Sequence, residues 1–319
     1  MSKLSWKHLY GPVPSRRLGR SLGVDLVPYK VCNFDCIYCQ LGRTTQKTCE
    51  RRLYVDAGEI MDELGRWLKE DGQADYITFS GLGEPTLNSG LGEMVITTNK
   101  MTDIPVAILT NGSLFWQPEV RAAACEANLM IPSLDAATPR AFARVNRPDR
   151  SLDVAQIIEG LRVTQQECPG KMWLEVMLVA GYNDSDEELR ALREAIDNIK
   201  PEFVQINTVV RPPVEQYAQA VSGDILQEAE RLFGPRAQII APLDAQSVMA
   251  EERQRSEQEV MALLQHRPCT LEDIGVGLGI HPNEAVKYVD ALLGREEITS
   301  VQRVDQTFYV PSGESLAGH

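Results

Sequence analysis

The stretch "PYKVCNFDCIYCQLGRTT", residues 28–45, decides how the rest of the chain is read. Cys32, Cys36 and Cys39 stand in it at C-x3-C-x2-C spacing, whereas Cys49, Cys125, Cys168 and Cys269 are scattered. Three thiolates so close together can hold three irons of a 4Fe-4S cluster and leave the fourth iron without a protein ligand. That open iron can bind a small molecule. A structural zinc site is instead closed by a fourth ligand, and the nearest candidates, His8 and Cys49, lack a customary spacing. Zinc and ordinary buried cysteines are the competing readings of the same three residues.

Outward from that loop, short β-rich runs alternate with helical patterns, the signature of repeated β-α units on a parallel sheet. The pattern predicts strands over 22–27, 74–80, 105–110, 128–134, 172–180 and 203–210. Between them "AGEIMDELGRWLKE", "QPEVRAAACEA", "SLDVAQIIEGLRVTQQE" and "DSDEELRALREAIDNI" place apolar residues at helical spacing, the last with Asp184 or Ser185 as its cap. Six units are fewer than the eight of a closed barrel, so the expected fold is α/β, a partial (β/α)6 TIM-type barrel over residues 1–245. Polar and glycine-rich clusters follow the strands: "GLGEPT", "NGS", "DAATP", "GYND" and "RPP". Ligands bind at the C-terminal strand ends of such sheets, and the cysteine loop, which follows the first strand, belongs to the same face.

Beyond "APLDAQSVMAEERQRSEQ" the pattern changes to short helices and a closing hairpin, "ITSVQRV" with "QTFYVP". Residues 251–311 therefore resemble a winged helix-turn-helix domain, and 312–319 read as a disordered tail. The recognition-helix position carries Glu284, Asp290, Glu296 and Glu297 against Lys287 and Arg295, which phosphate would repel. This argues against DNA and for docking a protein or peptide, or for a structural cap.

No run of about 18 apolar residues is present, so no membrane segment is expected. The start of the chain lacks the apolar stretch of a secretory signal. The reading is cytoplasmic, and the odd cysteine count fits a reducing compartment better than a disulfide framework. A net charge of −13 argues against a general nucleic-acid binder. Residues 1–56, however, hold ten Lys and Arg against four Asp and Glu, a local +6 that is either a solvated face or a mouth for an anionic substrate.

With Tyr38 before its last cysteine, the Cys32, Cys36, Cys39 motif resembles the signature of the radical S-adenosylmethionine (SAM) superfamily, over roughly residues 10–240. The resemblance implies that Cys32, Cys36 and Cys39 ligate a 4Fe-4S cluster whose open iron chelates SAM. One electron then cleaves SAM to methionine and a 5'-deoxyadenosyl radical, which abstracts hydrogen from a substrate. It also implies an external electron donor such as a flavodoxin or ferredoxin. "SGLGEPTL" is similar to the family's second-strand motif, putting Gly83, Glu84 and Pro85 at the SAM ammonium. Tyr38, Thr110 with Asn111, Ser133 with Asp135, and Gln205 with Asn207 fall where the family contacts SAM, though each also reads as a turn or strand-end residue.

Within the superfamily, "GPVPSRRLGRSLGVDLVPYKVCNFDCIYCQLGRTT", "VNRPDRSLD" and "INTVVRPP" resemble stand-alone proteins related to the tRNA wyosine-base synthases. Those synthases are described with additional N-terminal cysteines and a Schiff-base lysine; here no cysteine precedes Cys32, and Lys30 and Lys47 flank the loop. Arg16, Arg17, Arg147 and Arg211 are the candidates for an anionic substrate or the SAM carboxylate, since guanidinium forks bind such groups bidentately. The reading is a radical SAM enzyme acting on an anionic small molecule or modified nucleoside. A peptide- or protein-modifying enzyme and an iron-sulfur DNA-binding sensor are the alternatives.

Overall fold

The structure, a computed structural model, describes residues 6–15, 17–70, 72–168, 171–211, 213–242, 257–265, 268–278, 282–303 and 306–312. Strand β1 (Leu9–Ser15) turns back antiparallel to β2 (Gly19–Asp25), which delivers the chain to the cysteine loop. In β2 the side chains alternate: Leu22 and Val24 are fully buried in the main core, while Ser21, Gly23 and Asp25 take the other face. The loop holds a short parallel pair, β3 (Val31–Cys32) and β4 (Gln46–Lys47).

From β2 the sheet continues in parallel through β5 (Tyr76–Ser80), β6 (Val106–Thr110) and β7 (Leu129–Pro132). Bridges Met130–Met172 and Ser133–Glu175 carry it to β8 (Trp173–Leu178), then β9 (Phe203–Thr208) and β10 (Ala237–Ile239) follow, again parallel. Parallel neighbours need crossovers. These are α1 (Ala57–Glu70), α2 (Leu91–Met101), α3 (Pro118–Cys125), the pair α4 (Pro139–Val145) and α5 (Val154–Glu167), α6 (Asp186–Ile199) and α7 (Gly223–Phe233). Ser185 caps α6, accepting from the Glu188 N–H, and Asp186, Glu187 and Glu188 meet the positive end of its dipole.

All six expected strand segments contain a strand, but β1 and β10 were not foreseen. Two prolines and a glycine make "LYGPVPS" read as a turn, whereas an edge strand tolerates them. The cysteine reading also needs correction. Cys125 and Cys168, at the ends of α3 and α5, form a disulfide with Cα atoms 5.4 Å apart. They lie 43 residues apart, and only the packing of the two helices brings them together.

The C-terminal unit has its own core, including Val260, Leu264, Ile274, Val289, Leu292 and Ile298. It comprises α8 (257–265), α9 (Leu271–Leu278), α10 (Pro282–Gly294) and the hairpin β11 (Ile298–Arg303) and β12 (Gln306–Pro311). The tail beyond residue 312 lies outside the described residues. Among the described residues no helix is long and apolar enough to cross a membrane.

Candidate cofactor site at the cysteine loop

Backbone bonds to several segments fix the cysteine loop. The Lys30 N–H reaches the Leu82 carbonyl at 2.6 Å, and the Lys30 carbonyl accepts from Thr45 and Gln46. Asp35 and Ile37 donate to the carbonyls of Asn146 and Val145, while Val214 and Glu215 donate to those of Cys39 and Ile37. The ends of β5, α4 and β9 thus grip one loop. Lys30 itself adopts φ 55°, a left-handed conformation that turns the chain just before the first cysteine.

Each of the three sulfurs meets a nitrogen donor. The Phe34 N–H lies 3.4 Å and Asn111 Nδ2 3.8 Å from Cys32 Sγ; Asn146 Nδ2 lies 3.5 Å from Cys36 Sγ, and Lys30 Nζ 3.1 Å from Cys39 Sγ. Burial pushes the Cys32 thiol up to about 12 and Cys36 well above its ordinary value. These thiols hold their protons until a metal displaces them. Among the described residues no group of three or more His, Cys, Asp and Glu side chains is gathered closely enough to hold a metal ion. Three sulfurs, each with its own nitrogen donor, fit a cluster whose thiolate sulfurs accept hydrogen bonds from the surrounding protein.

"GLGEP" is docked on this loop. The Glu84 N–H donates to the Val31 carbonyl at 3.1 Å, and a Cβ on Gly83 would stand 2.0 Å from that oxygen, so only glycine fits. The Glu84 carboxylate is buried, and burial raises its pKa against the hydrogen bonds that hold it. Its Oε1 accepts from the Thr86 N–H and from the Thr86 and Thr110 hydroxyls, and Oε2 accepts from the Asn111 N–H at 2.8 Å. The second lone pair of Oε2 is left for one further donor. Pro85 starts the 3-10 turn Pro85–Leu87 that supplies the Thr86 donor.

Asp135 is the other buried hub. Its carboxylate accepts from Tyr38 Oη, from Asn146 Nδ2 at 2.6 Å and from the Met177 N–H at 3.0 Å. Burial nevertheless lifts it to about 6. Asn111 Nδ2 donates to Asn33 Oδ1, and Asn33 to Ser113, tying the turn after β6 to the residue following Cys32.

A cavity of about 470 Å3 opens beside the loop, with Tyr38, Cys39, Arg17, Glu175, Asn207 and Arg211 in its wall. Arg17 Nη1 is bonded to Glu175 Oε2 at 2.6 Å, and Asn207 Nδ2 to Glu175 Oε1 at 3.2 Å. Arg211 Nη1 bonds the neutral Gln40 Oε1 at 3.1 Å. Gly83, Glu84, Pro85, Thr110, Asn111, Ser133, Asp135 and Gln205 are not in the cavity wall. Ser133 bridges β7 to β8, and Gln205 is buried with its Oε1 unpartnered. Arg147 departs from expectation: it lies off the cavity, its Nη1 2.7 Å from Glu215 Oε1 and its Nη2 on the Tyr217 hydroxyl. An acid downstream of β9 had no local signal marking it as the partner. Arg16 lies outside the described residues.

Residues not singled out earlier as site residues prove structural to it. Asn146 joins Cys36 to Asp135, and its "VNRP" context was the available signal. Tyr10 Oη bonds Ser80 Oγ across the cavity wall, from the unforeseen β1. Glu175 shows as a polar residue at an inward register position of β8.

Comparison with known proteins agrees with this geometry. The radical SAM superfamily model matches residues 26–195. A UPF0026 protein of Helicobacter pylori strain J99 is 33% identical over 315 residues, covering 97% of this chain and 99% of that protein. A Brachyspira hyodysenteriae protein named GTPase Obg is 35% identical over 294 residues, 92% of this chain but only 43% of that longer protein. The chain has no G-x-x-x-x-G-K-[ST] run of a nucleotide-binding P-loop. By structure, a radical SAM methyltransferase from Sphaerobacter thermophilus shares the fold with TM-score 0.50 and 17% identity, over 70% of this chain and 67% of that one. The cysteine loop, the α/β fold around it and these relatives make the chain a member of the radical SAM superfamily, an enzyme class whose cofactors are S-adenosylmethionine and a 4Fe-4S cluster.

Proposed function

We propose that Cys32, Cys36 and Cys39 hold three irons of the cluster, that SAM binds between the cluster and the Glu84 strand-end loop, and that the adjoining cavity takes the substrate. When bound, the reduced cluster and SAM supply a one-electron cleavage that yields methionine and a 5'-deoxyadenosyl radical for hydrogen abstraction. One observation carries the reading: every one of the three sulfurs has its own nitrogen donor, and the last cysteine opens on the cavity beside Tyr38.

The chain's own groups then have separable tasks. Glu84 Oε2, with an acceptor position left, suits the SAM ammonium, and Gly83 lets its loop lie against Val31. Tyr38 and Asp135 hold the loop to the strand ends. Arg211 is the preferred contact for an anionic substrate, because its bonded partner Gln40 is neutral, whereas Arg17 is already matched by Glu175.

The parallel order from β2 to β9 supports a partial (β/α)6 barrel spanning residues 1–245, and the helices with a terminal hairpin support a winged helix-turn-helix over 251–311. That second domain docks a protein or peptide partner in this reading. A flavodoxin- or ferredoxin-like protein supplies electrons, and the substrate is an anionic small molecule or modified nucleoside. The nucleoside option draws its support from the resemblance of the "VNRPDRSLD" and arginine-rich N-terminal segments to stand-alone proteins related to the wyosine-base synthases.

The test is anaerobic reconstitution with iron and sulfide, addition of SAM and a strong reductant, and measurement of 5'-deoxyadenosine, with Cys36→Ala as control. Formation in the wild type alone is expected. Loaded wild-type protein that binds no SAM would overturn the assignment.

A further inference from the structure

Lys30 is the feature of the site that its motif does not explain. It precedes Cys32 by two residues, is only 3% exposed, and directs Nζ to Cys39 Sγ at 3.1 Å. A buried ammonium requires a compensating partner. The other sulfurs receive uncharged donors, the Phe34 N–H and the Asn111 and Asn146 side-chain amides, so the lysine brings the one full positive charge among these sulfur contacts. Its left-handed backbone, with the Lys30 N–H on Leu82 and its carbonyl on Thr45 and Gln46, fixes the side chain's origin. Asp35, on the same loop, also feels the Lys30 charge but is bonded to Arg43 and the Thr44 N–H.

We propose that Lys30 tunes the cluster's redox poise: its ammonium on the Cys39 sulfur raises the reduction potential and so eases electron entry from an external low-potential donor. The inference rests on the assignment of Cys32, Cys36 and Cys39 as cluster ligands. Adding an electron increases the negative charge shared by the cluster and its sulfurs, and a fixed cation a hydrogen bond away stabilises that form more than the oxidised one. One electron passes from the donor, no bond forms or breaks, and Lys30 keeps its proton throughout. Lys30 is a positioning and tuning residue here, acting through Cys39.

The experiment uses full-length protein reconstituted anaerobically, without SAM, and titrated with dithionite and mediators while the reduced cluster is followed by electron paramagnetic resonance. Wild type is compared with Lys30→Gln, which keeps an N–H donor without the charge, and Lys30→Met, which keeps neither. Iron and sulfide content is measured first; a wild type that takes up no cluster sinks the ligand assignment itself. With loaded proteins, both variants are expected to show at least about a tenfold lower ratio of reduced to oxidised cluster at the wild-type midpoint, a shift of about 59 mV to more negative potential for one electron. A Lys30→Gln potential equal to wild type overturns the proposal. If neither variant retains iron while wild type does, Lys30 belongs to cluster assembly and the tuning role is equally overturned.

Discussion

The Tyr38 hydroxyl donates to Oδ2 of Asp135, 97 residues further along the chain. The same carboxylate takes Asn146 Nδ2, which also reaches Cys36 Sγ, and the Met177 N–H of β8. A single buried acid therefore ties the cysteine loop to the ends of α4 and β8. Removing one partner from a buried bond leaves the other unsatisfied, at about 1–3 kcal/mol. Tyr38→Phe should destabilise the protein by about that amount in urea denaturation, and clearly less in an Asp135→Ala background, because groups sharing one hydrogen-bond network are not additive. Equal losses in both backgrounds would mean that the bond contributes nothing to stability.

A second prediction concerns pH. Asp25 ends β2 with Oδ1 buried and unpartnered, while its carboxylate accepts from the Leu82 N–H. Burial raises its carboxyl from 3.8 to about 7. A raised acid holds its proton in the native state over a window where the unfolded chain has lost it, so stability falls as pH rises from 3.8 to about 7. By linkage the full effect is up to about 4 kcal/mol. Asp25→Asn should keep the Leu82 bond and flatten this slope, measured as melting temperature of the metal-free protein at several pH values. A slope as steep as wild type would remove Asp25 as its source.

These two carboxylates show what could be read from the sequence. The motif Cys32, Cys36, Cys39 and the strand-end cluster "GLGEP" were legible because their spacing is local and their chemistry specific. Periodicity located the six segments that contain β2 and β5 to β9, since burial on a parallel sheet leaves an apolar run at each. What lay between distant segments was not legible. Arg17 finds Glu175 and Arg147 finds Glu215 only after folding, and "LYGPVPS" hid an edge strand behind its prolines. Lys30 was visible beside the loop, but its bond to Cys39 depends on a left-handed backbone that no propensity assigns to lysine.

Glu84→Gln tests the acceptor role of the "GLGEP" loop. Glu84 takes the Thr86 N–H on Oε1 and the Asn111 N–H on Oε2, and neither donor can be reversed. A glutamine has one oxygen for these two positions, so one N–H must face its NH2 group. A loss of about 1–3 kcal/mol in denaturant stability is expected. SAM affinity should also fall, read by calorimetry on cluster-loaded protein, because an ammonium loses its charged partner. Unchanged SAM affinity in a protein with wild-type iron content would take Glu84 out of the SAM site and leave it as a brace for the loop.

Gly83→Ala isolates the contact between that loop and the cysteines. The added Cβ would stand 2.0 Å from the Val31 carbonyl oxygen and 2.8 Å from Val27 Cγ2, distances at which the backbone must move. Movement there breaks the Glu84 N–H bond to Val31, the residue before Cys32. Overpacking of this kind costs about 1–3 kcal/mol, and here it should also lower the iron retained after reconstitution. Gly294, at the end of α10, is the control: nothing lies within 4 Å of its Cβ position, so Gly294→Ala should leave iron content at the wild-type level and stability equal or slightly higher. Iron and sulfide assays with urea midpoints on the three proteins decide the matter. Full iron retention by Gly83→Ala at reduced stability would mean that the cysteine loop keeps its geometry without this contact.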